Sequence, residues 1–257
     1  MYLRAAHADL NIPRLRQFIK QNPLGLLVSS IQSDKYPTIQ CTHIPWILDL
    51  EDESSEDELG ILRGHMAKMN PHTKAIIDEI SKSTADGYGF LGEEVSIMFT
   101  GPAHSYVTPQ FYKETKPSTG KVVPTWNYSA VQVYGRLKAY YDSKSSTVDA
   151  FLQQAVEDLS DFAENSLKQG SKPTPWKVSD APDSYVSLLK KNIIGVEIEI
   201  TKLEGKWKMS QEMSSGDREG VIEGFEAVET DNGKEIARLV RERGRMKDEA
   251  ASKAKAS

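Results

Sequence analysis

The segment 122–142, VVPTWNYSAVQVYGRLKAYYD, constrains the fold more than any other. Its wealth of Val, Tyr and Trp reads as one long β-strand. A strand of that length leaves main-chain donors and acceptors along both edges, so it needs partner strands. The sequence offers them. LGLLVSSI (24–31) reads as a buried strand and SDKYP (33–37) as a turn. TIQCTHIPWIL (38–48) alternates, with Ile39, Cys41 and His43 on one face and Thr38, Gln40 and Thr42 on the other. Further strands are expected over 59–66, over EEVSIMFTG (93–101) and over IIGVEIEITKLEG (193–205), which alternates strictly at 196–200. KWKMSQ (206–211) reads as a last short strand or turn. Helices are expected over 11–21, capped by Asn11 with Pro13 in the first turn, and over 71–82 behind Pro71. An amphipathic helix over 146–168 gathers Val148, Phe151, Leu152, Ala155, Leu159 and Phe162. Helices are also expected over 184–191, 215–226 and 231–244. GSKPTPW (170–176) reads as a linker, 109–120 as a polar loop after a short helical turn, and the tail DEAASKAKAS as frayed.

About six or seven strands at hairpin spacing, without strict βαβ alternation, predict an antiparallel β-barrel with helical decoration. The chain has 257 residues, 39% hydrophobic and 27% charged, enough for a sizeable core. No composition shift marks a domain boundary. One domain over 1–228 with a helical, frayed tail over 229–257 is the expected organisation. The formal net charge of −5 does not suit bulk binding to nucleic acid. A single cysteine, Cys41, precludes a disulfide within the chain and a zinc site of several thiolates. The N-terminus has no apolar signal core and no stretch reaches the roughly 20 apolar residues of a membrane span. A soluble intracellular protein is expected, cytoplasmic with the nucleus left open. The acidic run 49–58 carries seven acids in ten residues and no glycine, so a solvated surface loop is expected rather than a calcium loop.

No P-loop, G-x-G-x-x-G, G-x-S-x-G or H-E-x-x-H occurs. The five histidines, His7, His43, His65, His72 and His104, lack metal-ligand spacing, and no metal is expected. Three stretches remain. GHMAKMNP (64–71) ends a strand with Lys68 and with Asn70 poised to cap the next helix. That is either a polar strand exit or a phosphate cradle. Trp126, Asn127 and Tyr128 follow Pro124 and form either a slot for a flat ring or a packed core or interface cluster. Lys206 and Lys208 flank Trp207, giving either a basic face or exposed lysines beside a packed ring.

Seven ordered segments together resemble the PaiB family of FMN-binding, split-barrel "negative transcriptional regulator" proteins. They are NPLGLLVS (22–29), THIPWILD (42–49), LRGHMAKMNP (62–71), GKVVPTWNYSAVQVYG (120–135), PWKVSDAP (175–182), IIGVEIEITKLEGKWKMSQ (193–211) and DREGVIEG (217–224). The resemblance implies a six-stranded antiparallel split β-barrel related to pyridoxamine-phosphate oxidase-like flavoproteins, and a homodimer with FMN between the subunits. Carried over, Thr42, His43, Ile44 and Pro45 would line the isoalloxazine. His65, Met66, Ala67, Lys68 and Asn70 would hold the phosphate and ribityl chain. Trp126, Asn127 and Tyr128 would sit near the cofactor from the partner subunit, with Lys206 and Gln211 as further candidates. Three departures stand out: a longer acidic loop, one extra residue in GPAHSYVTPQFY (101–112), and an extra tail. His104 and Tyr106 therefore receive no role.

Three readings follow. A flavin-dependent oxidoreductase or redox protein would draw its chemistry from FMN. A transcriptional regulator without enzymatic activity would need a DNA-binding element, and the stretch with Arg238, Arg241, Arg243 and Arg245 is the most basic one, with direct nucleic-acid binding not expected. A haem-binding or haem-degrading split barrel would use His43, His65 or His104 as an axial ligand. The small-molecule substrate and the catalytic residues stay unassigned, and no membrane partner is expected.

Overall fold

The computed structural model describes residues 1–167 and 174–256, with the side chains of 255 and 256 outside the description. Its elements, in chain order, are β1 (Ala8–Asp9), α1 (Ile12–Gln21), β2 (Leu24–Ser30), β3 (Ile39–Pro45), β4 (Ile47–Asp49), β5 (Ile61–Ala67) and α2 (Pro71–Ile80). These are followed by β6 (Tyr88–Thr100), β7 (Ser105–Val107), α3 (Thr115–Thr119), β8 (Thr125–Tyr140), α4 (Ser146–Ser166) and α5 (Asp183–Lys190). Last come β9 (Ile193–Lys208), α6 (Ser215–Glu226) and α7 (Asp231–Ala256). The chain divides into two compact units. One comprises Met1–Leu10, Thr100–Val131 and Glu204–Ser257, the other Asn11–Phe99 and Gln132–Leu203.

The second unit holds most of the sheet, in the order β3-β2-β6-β8-β9-β5-β4. The hairpin β2–β3 is antiparallel with Leu24 opposite Pro45 and Ser30 opposite Ile39. β5 runs antiparallel to β9, with His65 opposite Gly195 and Arg63 opposite Glu197. The expected single strand over 38–48 is broken at Trp46, which is buried. The break lets β3 pair with β2 while β4 pairs with β5, so the chain passes from one edge of the order to the other. The two edges meet there: a Cβ on Gly64 of β5 would lie 2.9 Å from Ile44 Cγ2 and 3.0 Å from the Pro45 carbonyl oxygen of β3. Leu27, Ile44, Leu62, Met66, Ile97, Phe99, Val133, Leu137, Val196 and Ile198 fill the interior. The expected face alternation of β3 holds, and it turns Ile39, Cys41 and His43 outward while Gln40 and Ile44 point in.

The fold class is the expected one, mainly β with helical decoration. Nine strands are present among the described residues rather than six. The extra three, β1, β4 and β7, are two or three residues long, so six long strands remain, the number expected. Strands this short carry too little periodicity to be read from sequence. β9 is continuous through Lys208, where the sequence suggested a separate last element. The linker expected over 170–176 lies largely outside the described residues.

α1 and α2 begin as their sequences require, with Asn11 accepting from Arg14 N–H and Asn70 from His72 N–H. α4 buries Val148, Leu152 and Ala155. Its Phe151 covers Gly195 so closely that a Cβ there would meet the ring at 2.4 Å, and it stacks on Tyr140 at 3.8 Å. Phe162, expected on the apolar face, is exposed. α5 is inverted for a surface helix: Tyr185, Leu188 and Leu189 are exposed, while Lys190 is buried against Asp149 at 2.8 Å.

The acidic run is not simply solvated. Glu58 folds back to accept from the N–H groups of Glu51 and Asp52 at 2.7 and 2.9 Å. Arg16 of α1, 3% exposed, donates to the carbonyls of Glu58 (2.9 Å), Ser55 (2.6 Å) and Glu53 (3.4 Å). Three carbonyls of the run thus point in, onto one guanidinium.

In the first unit, β1 pairs antiparallel with the end of β9, Ala8 opposite Lys206, and β7 pairs with β8, Tyr106 opposite Trp126. α6 matches the expected bounds. α7 runs on through Ala256, so the tail from 248 is helical rather than frayed. Arg243 explains part of this anchoring: it pairs with buried Asp9 at 2.6 Å and its guanidinium lies 3.9 Å over the Trp207 ring.

Candidate functional site

In the second unit the corner where β5 leads into α2 faces the end of β3. The strand period places Leu62, Gly64 and Met66 in the core and leaves Arg63 and His65 half-buried on the other face. Arg63 is spoken for: it pairs with Asp49, and with Asp158 of α4 at 2.8 Å. His65 is not. Its Nδ1 is buried without a hydrogen-bond partner, and burial lowers the pKa of the ring. Lys68, half-buried, makes no ion pair among the described residues. Burial pushes its pKa down, with the Asp142 charge opposing that shift. Its main-chain N–H goes to Asn192 O at 2.8 Å, which fixes the turn.

Asn70 is bound at both ends of its side chain. Its Oδ1 accepts from His72 N–H at 2.9 Å and its Nδ2 donates to Thr42 Oγ1 at 3.1 Å. His72, 1% exposed, bridges Thr42 Oγ1 (2.9 Å, Nδ1) and Ser29 Oγ (2.7 Å, Nε2). The helix is thus capped, and a lysine without an ion pair among the described residues stands beside the cap. Of the other residues singled out in this unit, Ile44 and Met66 lie in the core, Pro45 is half-buried, and His43 and Ala67 are exposed. His72 directly follows the GHMAKMNP stretch, but nothing in its spacing marks it as the centre of the network. Ser29 gives no signal at all.

Burial alone pushes the His72 imidazole down to about 4, against 6.5 for a free ring. Below pH 6.5 the unfolded chain takes up this proton and the folded chain does not until about pH 4. The stability His72 contributes is therefore complete above pH 6.5 and is lost as pH falls from 6.5 toward 4. At 1.36 kcal/mol per pKa unit the loss is on the order of 3 kcal/mol. Urea unfolding at pH 7.0 and 4.5 should show it, and a His72→Asn variant should lose that part of the slope. Equal slopes in both proteins would refute this assignment.

The remaining candidates lie in the first unit. Trp126 is 49% exposed and Tyr128 half-buried, while Asn127 between them is fully buried. The Asn127 amide faces the Ser210 hydroxyl at 3.1 and 3.2 Å, and Ser210 holds a left-handed φ of 56°. Tyr106 and His104 flank Trp126, with ring centroids 6.5 and 6.0 Å away. This aromatic cluster includes the two residues that the sequence left without a role. Lys206 donates to Tyr2 O at 2.9 Å and lies 5.4 Å over the Tyr128 ring. Lys208 contacts the Thr125 hydroxyl and donates to Trp126 O at 3.0 Å; burial pushes its pKa down, partly offset by Glu212. Gln211 is buried and braces the end of β9, accepting from Met209 N–H at 2.7 Å and donating to Trp207 O.

The basic stretch of α7 is neutralised within its own unit. Arg238 pairs with Glu235 and Glu242, Arg241 with Glu226, Arg243 with Asp9, and Arg245 lies 3.7 Å from Glu249. Among the described residues no group of three metal-ligating side chains converges, and no helix is long and apolar enough to cross a membrane.

The corner between β5 and α2 thus sets a half-buried lysine beside a polar network on a mainly antiparallel sheet. The chain belongs to the family described as "Putative FMN-binding domain", whose model matches residues 1–202. It is 54% identical over 259 residues to an uncharacterised protein of Aspergillus fumigatus, covering 96% of this chain and 99% of that one. It is 27% identical over 244 residues to protease synthase and sporulation protein PAI 2 of Bacillus subtilis, covering 95% and 98%. The resemblance to PaiB proteins drawn from the sequence therefore holds. Among solved structures, the flavocytochrome Anf3 from Azotobacter vinelandii aligns over 80% of this chain and 72% of its own, at 11% identity and a TM-score of 0.42.

Proposed function

We propose that this protein is an FMN-binding flavoprotein that acts as a homodimer and serves as a flavin-dependent redox protein. The observation that carries the reading is the β5–α2 corner, where half-buried Lys68 has no ion-pair partner among the described residues and the buried His65 Nδ1 has no hydrogen-bond partner. A buried polar nitrogen without a partner costs stability unless a ligand meets it, and the half-buried lysine beside it supplies a cation. FMN offers a phosphate and a polar-edged ring, which fits this donor set. When bound, it would supply hydride or electron transfer.

The chain's own residues would then bind and orient. Lys68 holds the phosphate charge by a charge-assisted contact. Asn70 is tied to Thr42 and to the α2 backbone, so it fixes the corner. Thr42 presents its hydroxyl, and Pro45 and the exposed side of β3 around His43 exclude water from one ring face. Trp126 and Tyr128, contributed by the second copy, would cover the other. The membership of the family described as FMN-binding supports this reading.

Purified protein incubated with FMN is expected to be yellow, to bleach with dithionite and to elute at twice the chain mass. Lys68→Ala should weaken FMN binding by the 1.5–3 kcal/mol of a charged hydrogen bond, roughly 10- to 150-fold. A protein that neither retains nor quenches FMN would sink the proposal. A Soret band on adding haem, in place of flavin binding, would shift it to the haem reading.

A further inference from the structure

We propose that His72 is a positioning residue of this site: it commits the Thr42 hydroxyl to donate its proton outward, so the ligand atom that meets Thr42 must be a hydrogen-bond acceptor. The inference rests on the FMN reading for the ligand, but its core is a question of where three protons lie.

The Ser29 hydroxyl is 2% exposed, and its one hydrogen bond among the described residues is to His72 Nε2 at 2.7 Å. Its proton must go somewhere. If Nε2 carries the ring proton, it donates to Ser29 Oγ, and the serine's own buried proton has no acceptor. If Nε2 is bare, the serine donates to it and every group is satisfied. Leaving a buried donor unmatched is the costlier arrangement. The ring is neutral at pH 7, since burial pushes its pKa down to about 4, so it holds one proton only. That proton is then on Nδ1.

Nδ1–H donates to Thr42 Oγ1 at 2.9 Å. Asn70 Nδ2 donates to the same oxygen at 3.1 Å. Both lone pairs of Oγ1 are thereby occupied, and the Thr42 proton has no acceptor among the described residues. Thr42 is half-buried on β3, so the proton is left for something outside the network. With the opposite tautomer Thr42 would donate to Nδ1 and accept from Asn70, and it would offer a ligand only its remaining lone pair, the reverse polarity. The chain Ser29–His72–Thr42 thus sets donor polarity at a distance of two residues from the ligand. A carbonyl oxygen, an unprotonated ring nitrogen, a phosphate oxygen or the oxygen of a hydroxyl is accepted, and a group that can only donate, such as a ring N–H, is refused.

Two amide substitutions separate the ring's nitrogens. His72→Asn places an N–H donor near the Nδ1 position and keeps the Thr42 contact. His72→Gln reaches the Nε2 position and keeps only the Ser29 contact. Each loses one hydrogen bond, so their thermal stabilities should be alike. FMN affinity should not be: His72→Gln is expected to weaken binding about tenfold, as should Thr42→Val, while His72→Asn stays within about threefold of wild type. The His72→Gln/Thr42→Val pair should bind no worse than Thr42→Val alone. Nitrogen-15 spectra of the wild-type protein, with His72 assigned by its loss in the Asn variant, should show a bare Nε2 and a protonated Nδ1. A protonated Nε2 overturns the proposal, as does equal loss of affinity in the Asn and Gln variants at equal stability. Wild type that binds no FMN would instead refute the cofactor reading, and the nitrogen-15 result would still decide the proton positions.

Discussion

Asp9→Ala is expected to destabilise the protein by about 3–5 kcal/mol, the range for stripping one partner from a buried ion pair. Asp9 and Arg243 are 2.6 Å apart, and their side chains are 4% and 8% exposed. The substitution leaves the Arg243 guanidinium between the Trp207 ring and a cavity, short of its carboxylate. The damage should reach the sheet, because β1 pairs with β9 at Ala8 and Lys206, and His7 O accepts from Trp207 N–H at 2.9 Å. Removing both charges is a different matter. An Asp9→Leu/Arg243→Met double variant should recover most of the loss, since apolar residues of similar volume often replace a buried pair at no net cost. Urea melts of the three proteins measure this. A loss below about 1 kcal/mol in Asp9→Ala would show that the pair is solvated and that α7 is held by other contacts.

The second large effect is expected at Arg16. Its guanidinium serves three main-chain carbonyls of the acidic loop from a site 3% exposed to solvent. Hydrogen bonds to a charged group contribute roughly 1.5–3 kcal/mol each, and the loop can recover some by turning its carbonyls to water. A net cost of about 3 kcal/mol is expected for Arg16→Ala, or a fall in Tm of roughly 6–12 °C for a chain of this size. The loop loses the anchor of three of its carbonyls and one of the cations beside its acids, so cleavage by a protease within 49–58 should quicken as well. Arg16→Lys should not rescue the fold, because one ammonium cannot reach three carbonyls in a fixed fork. Wild-type stability in Arg16→Ala would mean that the loop orders itself through the Glu58 contacts alone.

Much of the architecture was legible because it is written locally. The alternation at 196–200 and the Val- and Tyr-rich run at 125–140 set the long strands. Asn11-Ile-Pro and Asn70-Pro71 set two helix starts, through caps and the fixed φ of proline. The break at Trp46 was not legible, because it is imposed by the need of one chain segment to pair with β2 on one side and β5 on the other. The exposure of Leu188 and Leu189 on α5 runs against periodicity, which places apolar residues inside. The helical tail was unreadable for a related reason: its anchor, Arg243, needs Asp9, 234 residues earlier.

The candidate site divides in the same way. Lys68, Asn70 and Thr42 were within reach of the sequence, through their residue types, the cap position and the ordered likeness to a known family. The sequence by itself determined which residues carry charge and hydrogen-bonding capacity and which strands present them. Only the tertiary structure decided how that capacity is used: that Arg63 is taken by two aspartates, that Asn127 is closed off by Ser210, and that buried His72 joins Ser29 to Thr42. Hydrogen-bond direction and desolvation depend on atoms brought within 3 Å from distant parts of the chain, and a one-dimensional pattern does not encode that proximity.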